Sequence, residues 1–214
     1  MKKGLTEVVF ILDASGSMGH LTDDTIGGFN SVIKEQKGKE GDVLVSTVTF
    51  NQQSKVVHDR VAIAEIVPMT EKDYRAGGST ALIDAMGDAI KHISTVHKYI
   101  REEDVPEHTL FFITTDGMEN ASHKYTSDEV KKLVEAKKEL GWEFVFMAAN
   151  IDAVETAAMF GIAEDRAVEY RNDGIGNELK FSTMLRVMNC VRADEVLDSS
   201  WKAELEEDVK NREY

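Results

Sequence analysis

Short apolar runs without polar alternation recur along the whole chain, each followed by a helical pattern, and few architectures accept that order. Val8 to Leu12 is a continuous β-branched and aromatic run of the kind that forms a strand buried on both faces. Ile26, Phe29 and Ile33 then recur at helical spacing and stop at Gly38 and Gly41. Val43 to Phe50 and Lys55 to Val61 are both strand-like, and the stretch around Asn51-Gln52-Gln53 between them is too short for a parallel crossover. They are expected to form an antiparallel hairpin, which puts one reversed strand at the edge of an otherwise parallel sheet.

The alternation continues. Leu82, Met86, Ile90, Ile93, Val96 and Ile100 mark a long amphipathic helix, and Leu110 to Thr114 another buried strand. Thr126 and Glu129 have the spacing of a capping box, opening a helix that stops at Gly141. Phe144 to Met147 is expected as a strand, Val154 to Phe160 as a short helix, and Ala167 to Tyr170 as a last short strand. A turn from Asn172 to Asn177 leads into a helix carrying Phe181, Leu185, Met188 and Val191. Strand–helix alternation of this kind predicts a three-layer α/β fold around a mostly parallel central sheet. Its ligand site is expected at the carboxyl ends of the strands, where the strand order reverses.

Size and charge narrow the function classes. With 214 residues, 42% of them hydrophobic, the chain has enough core for one domain without a disulfide or structural metal. Residues 1–198 are read as that domain and 199–214 as a charged C-terminal tail or short helix, with Trp201, Leu205 and Val209 at i, i+4, i+8. The balance of 25 basic and 39 acidic residues, net −14, repels phosphate backbones, so no nucleic-acid partner is expected. The lone Cys190 excludes an internal disulfide framework and suits a reducing compartment. The longest apolar runs, such as Phe144 to Ala149, fall far short of the about 20 residues of a membrane span. A cytoplasmic location, with no membrane partner, is the expectation.

Chemistry concentrates where the topology says it should. Asp13-Ala14-Ser15-Gly16-Ser17 follows the first strand, with an acid and two hydroxyls at alternate positions. Thr115-Asp116-Gly117 follows the Leu110 strand, and the glycine-rich Gly77-Gly78-Ser79-Thr80 opens the long helix. The Asp13–Ser17 loop and the glycine-rich loop, at Ser79 or Thr80, each also read alone as a helix N-cap, since Asp, Ser and Thr are preferred capping residues. Gly-Gly before a helix also suits a phosphate, but the lysine of a P-loop and the Gly-x-Gly-x-x-Gly fingerprint are missing. Convergence of all three loops gives two carboxylates and neutral hydroxyls, an all-oxygen set suited to Mg²⁺ or Mn²⁺, or to Ca²⁺ in a looser shell. Without nitrogen or sulfur ligands, zinc is disfavoured.

Asp-x-Ser-x-Ser after the first strand, a Thr heading a helix behind Gly-Gly, and Thr-Asp-Gly after a central strand together resemble the von Willebrand factor type A (VWA) domain. The resemblance covers roughly residues 5 to 192, and the segment from Ala149 to Ile162 looks like intracellular bacterial and phage members. It implies a Rossmann-like, doubly wound sheet and a metal-ion-dependent adhesion site formed by Asp13, Ser15, Ser17, Thr80 and Asp116. Thr80 is preferred over Ser79 because Thr80-Ala81-Leu82 is similar to the family's Thr-Pro-Leu. In such a site the hydroxyls bind Mg²⁺ (or Mn²⁺ or Ca²⁺) and a protein partner completes the shell with an Asp or Glu side chain. The function implied is metal-dependent protein–protein interaction, not catalysis.

Several residues near these loops have competing readings. Asp84, one turn after Thr80, suits either orientation of a ligand hydroxyl or an acid in a helix's first turn. His20 and Asp152 read as an exposed polar residue and a helix cap in preference to rim residues, and Glu119 and Asn120 as possible determinants of partner choice. The alternative function is a Mg²⁺-dependent phosphohydrolase or phosphotransferase on the same sheet. Dehalogenase-like enzymes need a second Asp where Ser15 stands, and no Gly-x-Ser-x-Gly elbow is present. A metal-free scaffold domain is the third reading.

Overall fold

The structure is a computed structural model describing residues 1–212. In chain order it contains β1 (Lys2–Asp13), α1 (Thr22–Lys37), β2 (Asp42–Phe50), β3 (Ser54–Ala62) and α2 (Leu82–Tyr99). These are followed by β4 (Pro106–Thr115), α3 (Ser127–Lys138), β5 (Trp142–Ala148), α4 (Ala153–Met159), β6 (Ala167–Glu169), α5 (Gly174–Arg192) and α6 (Ala203–Asn211). Hydrogen-bonded neighbours run in the order β3-β2-β1-β4-β5-β6. All pairs are parallel except β2–β3, the hairpin at the sheet edge. The fold class expected from the alternating runs is the one observed.

The absence of polar alternation in β1 has a direct physical cause. Val8, Phe10 and Leu12 face a layer built from α1, α5 and α6, where they meet Phe29, Val32, Phe181 and Trp201. Val9 and Ile11 face the opposite layer, with Leu82, Met86 and Ile90 of α2 and Val130 of α3. Both faces are covered, so both residue parities must be apolar. Helix packing in the first layer is close enough that a Cβ on Gly28 would lie 2.1 Å from the Phe181 ring.

Boundaries move where hydrogen bonding outlasts hydrophobicity. β1 begins at Lys2 and β4 at Pro106, because Lys2 N–H donates to Val105 O at 2.6 Å and the ladder continues beyond the buried run. Proline is tolerated at that first position, where no ladder donor is required. α5 starts at Gly174, inside the expected turn, because the Asp173 carboxylate accepts the Gly176 N–H at 2.9 Å and caps it. The capping box at Thr126 and Glu129 is present as read.

Residues 199–211 pack on the same core. Trp201 and Leu205 are buried in the α1/α5 layer, the Trp201 indole donates to Asp165 O at 2.8 Å, and the Lys202 ammonium donates to Glu164 O and Ala167 O. Charge-rich composition conceals this, because only one side of the short helix carries its apolar residues.

Candidate metal centre

The strand order fixes where the site lies. From β1 the sheet runs to β2 on one side and to β4 on the other, so a crevice opens above the carboxyl ends of β1 and β4. Asp13 is the last residue of β1, and Asp116 follows β4 directly. The glycine-rich loop is laced to the first loop by Gly16 N–H to Gly78 O at 3.0 Å and Gly77 N–H to Ala14 O at 2.9 Å. Gly78 has φ +78°, a left-handed conformation that a side chain would strain, and a Cβ there would collide with the Gln52 amide.

Three of the five residues named from sequence, Ser15, Ser17 and Asp116, meet through their side chains. The Ser17 hydroxyl donates to Asp116 Oδ1 at 2.7 Å and the Ser15 hydroxyl to the same oxygen at 3.3 Å, with the two hydroxyl oxygens 3.1 Å apart. Asp13 lies beneath them, its Oδ1 accepting the Ser15 N–H at 2.7 Å and its Oδ2 the Thr115 hydroxyl at 2.7 Å. The Thr80 hydroxyl, on the adjoining loop, hydrogen-bonds to no described residue. An octahedral ion with oxygen ligands at 2.0–2.1 Å requires adjacent oxygens about 2.9 Å apart. The three distances of 2.7, 3.1 and 3.3 Å bracket that value, so this donor set fits a small hard cation. No group of three or more His, Cys, Asp or Glu side chains converges among the described residues, consistent with hydroxyls carrying much of the set.

The competing helix-cap readings of these hydroxyls do not hold. Ser15 occupies the position before a short 3₁₀ turn but makes no capping bond, and α1 begins after Leu21. The start of α2 is capped from another loop altogether. The Glu119 carboxylate accepts the Ile83 N–H at 2.9 Å, and the Ser122 hydroxyl oxygen accepts the Asp84 N–H at 3.0 Å. Thr80 is thereby released from capping. Asn120 clasps its backbone, accepting the Thr80 N–H at 2.9 Å and donating to Thr80 O at 3.0 Å. Glu119 and Asn120 thus hold the second loop to the third.

Asp84 points away from the hydroxyls. Its carboxylate accepts the N–H groups of His123, Lys124 and Tyr125 at 2.9–3.1 Å and so shapes the approach to α3. Burial works against its charge, but these donors outweigh it and hold the carboxyl below its ordinary value. Asp152 caps α4 through the Glu155 N–H. His20 is exposed, with ring nitrogens 2.9 Å from Ser17 O and 3.2 Å from Asn172 O.

A ring of residues that the motifs do not announce supports the centre. Asn172 donates to Asp116 Oδ2 and Asn150 to Asp116 O, both at 3.0 Å. Asn150 sits at φ +59°, a conformation asparagine accepts more readily than most residues. The Tyr74 hydroxyl donates to Asp13 O and the Tyr170 hydroxyl to Thr115 O. Burial pushes the Asp13 carboxyl above its usual range, against the pull of the Thr115 hydroxyl and the Ser15 N–H. Burial likewise raises both tyrosines well above the ordinary phenol value, reinforced by the neighbouring aspartates.

Below this ring, α5 buries Asn177, Lys180 and Thr183, which share one face at spacings of three. The Lys180 ammonium lies 4.6 Å from the Tyr170 ring centre and 4.9 Å from that of Phe181. Desolvation lowers its pKa to about 7, against the attraction of Asp13 and Asp116. The usable sequence signal was a set of polar residues interrupting an otherwise apolar helix face.

Comparison with solved structures gives the architecture its context. The vWF domain of the type V pili tip protein Mfa5 from Porphyromonas gingivalis superposes with a TM-score of 0.64, at 10% identity over 86% of this chain and 95% of that one. This is the von Willebrand factor type A fold. Proximal thread matrix protein 1 from the mussel byssus, determined with a zinc-occupied MIDAS motif, shares it at a TM-score of 0.56 and 14% identity. There the alignment covers 86% of this chain and 45% of the mussel protein, so the chain spans less than half the length of that VWA-containing neighbour. Manganese-loaded TRAP from Plasmodium vivax gives 0.53 and 12%, over 83% of this chain and 72% of that one. No family model and no curated protein matches the sequence. Among the described residues, no helix is long and apolar enough to cross a membrane.

Proposed function

We propose that this chain is a divalent-metal-dependent protein–protein interaction module. Ser15, Ser17 and Thr80 supply neutral oxygens to the cation, Asp13 and Asp116 supply compensating charge, and an Asp or Glu side chain of a protein partner completes the shell. The carrying observation is the meeting of Ser15 Oγ, Ser17 Oγ and Asp116 Oδ1 within 2.7–3.3 Å of one another. Those separations favour Mg²⁺ or Mn²⁺ over the larger Ca²⁺. Two structural neighbours, one determined with a zinc-occupied MIDAS motif and one manganese-loaded, support binding of a divalent ion.

A bound cation would supply an electrophilic position in a partly dehydrated setting, where a carboxylate binds with charge assistance. No bond needs to be made or broken. In support of a non-catalytic role, both serine hydroxyls donate to Asp116, and no histidine contacts either of them among the described residues. The net charge of −14 repels an acidic partner at long range, but screening within about 8 Å at physiological salt confines that effect. A partner basic overall, with one protruding carboxylate, satisfies both scales. A cytoplasmic setting, consistent with the single cysteine, belongs to the same reading.

Calorimetric titration with Mg²⁺, Mn²⁺, Ca²⁺ and Zn²⁺, with and without acetate as a stand-in for the partner carboxylate, tests this directly. One site, strengthened by acetate and lost in Asp116→Ala, is the expected result. Flat traces for every ion in both conditions would overturn it. A lysate pull-down with and without chelator, with Asp116→Ala as control, then identifies the partner.

A further inference from the structure

A large cleft lies at the other end of the sheet, at the amino ends of β4 and β5. It encloses about 650 Å³ between the last turns of α2 and α3 and is lined by Lys91, Lys98, Lys137, Leu133, Leu140 and Trp142. That volume lies within the range of pockets that hold small organic ligands.

Its charges are unusual for this chain. Although acids outnumber bases by 39 to 25, none of these three ammonium groups makes a hydrogen bond or ion pair with a described residue. Each lies over an aromatic ring instead: Lys91 at 4.2 Å from the Tyr125 centre, Lys98 at 5.5 Å from Tyr99, and Lys137 at 5.3 Å from Trp142. Opposing them are Glu107, which accepts the Gly4 N–H at 2.7 Å, and the carbonyl ends of two helices, each worth about half a negative charge. Among the charged side chains that line the cleft, three ammonium groups face the single carboxylate of Glu107, so the lining is net positive on a molecule of net charge −14.

The second observation is independent of charge. Trp142 is 7% exposed; its indole N–H donates to no described residue and is not among the buried polar atoms that lack a partner, so the donor is open to the cleft. The ring stacks on Phe111 and meets His97 edge-on at 5.2 Å, and His97 is held in turn by the buried Glu7. A rigid aromatic wall, an unused donor and unpaired ammonium groups therefore share one opening. We infer that this cleft is a binding site for small amphipathic organic anions, the apolar body lying against Trp142, Leu133 and Leu140 and the anionic group meeting the lysines.

The probe is 8-anilinonaphthalene-1-sulfonate, with N-phenyl-1-naphthylamine as its uncharged counterpart. Titrations are run in chelator, so that failure of the metal reading leaves this one untouched. Saturable 1:1 binding of the sulfonate is expected, at least tenfold tighter than that of the neutral dye, with quenching of tryptophan emission. The double variant Lys98→Gln/Lys137→Gln is expected to weaken sulfonate binding about tenfold while leaving the neutral dye unchanged. Trp142→Phe, which leaves Trp201 as the sole indole, is expected to remove most of the quenching. Non-saturating binding, equal affinity for the two dyes, or an unaltered Lys98→Gln/Lys137→Gln variant of wild-type melting temperature would overturn the assignment.

Discussion

Lys180 shows how far a single residue can stand from its ordinary chemistry. Its ammonium is removed from water, and desolvation outweighs the attraction of Asp13 and Asp116. Between pH 7 and 10.5 the unfolded chain holds the lysine proton while the folded chain does not, so stability rises with pH across that window. The cost is fully present below about pH 7, on the order of a few kcal/mol. Lys180→Met is therefore expected to melt higher than wild type at pH 6, the gap narrowing as pH is raised towards 10. Equal melting temperatures at every pH would mean that the ammonium is solvated inside the fold.

Elements are held by caps and close approaches that cross between loops. The Glu119 carboxylate accepts the N–H groups of Ile83, Ala121 and Ser122 together with the Ser122 hydroxyl, so one side chain caps α2 and folds the third loop. Glu119→Ala leaves partly buried donors unpaired, and a loss of about 2 kcal/mol is expected in urea melts. Because Asn120 aligns Thr80, the same variant is expected to weaken metal binding in calorimetry, whereas Asp152→Ala at the start of α4 is not. The α1–α5 contact depends on Gly28, where a methyl group would enter the Phe181 ring. Gly28→Ala gains up to about 1 kcal/mol of helix propensity but incurs about 1–3 kcal/mol of overpacking. A net fall of a few degrees in melting temperature is expected; a rise would show that Phe181 has room to turn.

At the scale of the molecule, the metal proposal makes a thermodynamic demand. A ligand that binds only the folded state at a hundred times its dissociation constant stabilises by about 2.7 kcal/mol. For a chain of this size each kcal/mol moves the midpoint by about 2–4 °C. Saturating Mg²⁺ or Mn²⁺ is thus expected to raise the melting temperature by about 5–10 °C in wild type and not at all in Asp116→Ala. A shift that survives in the variant would place the ion elsewhere on this acidic surface.

The sequence alone determined the layered α/β architecture, because strands covered on both faces must be apolar at every position and cannot be mistaken for half-exposed ones. It also determined the edge hairpin, since a three-residue link has no parallel solution, and it set Asp13 and Asp116 at strand ends, while the full set with Ser15, Ser17 and Thr80 came from the resemblance to the VWA motifs. Tertiary structure alone decided which hydroxyls are free of capping duty, since the caps of α2 come from Glu119 and Ser122 in a distant segment. It also decided that Asn150, Asn172 and Tyr74 brace the aspartates, that Tyr170 holds the Thr115 carbonyl beside them, and that Lys180 is buried nearby. Such partners are joined by contacts across the sheet, at separations for which local periodicity and motif spacing carry no signal.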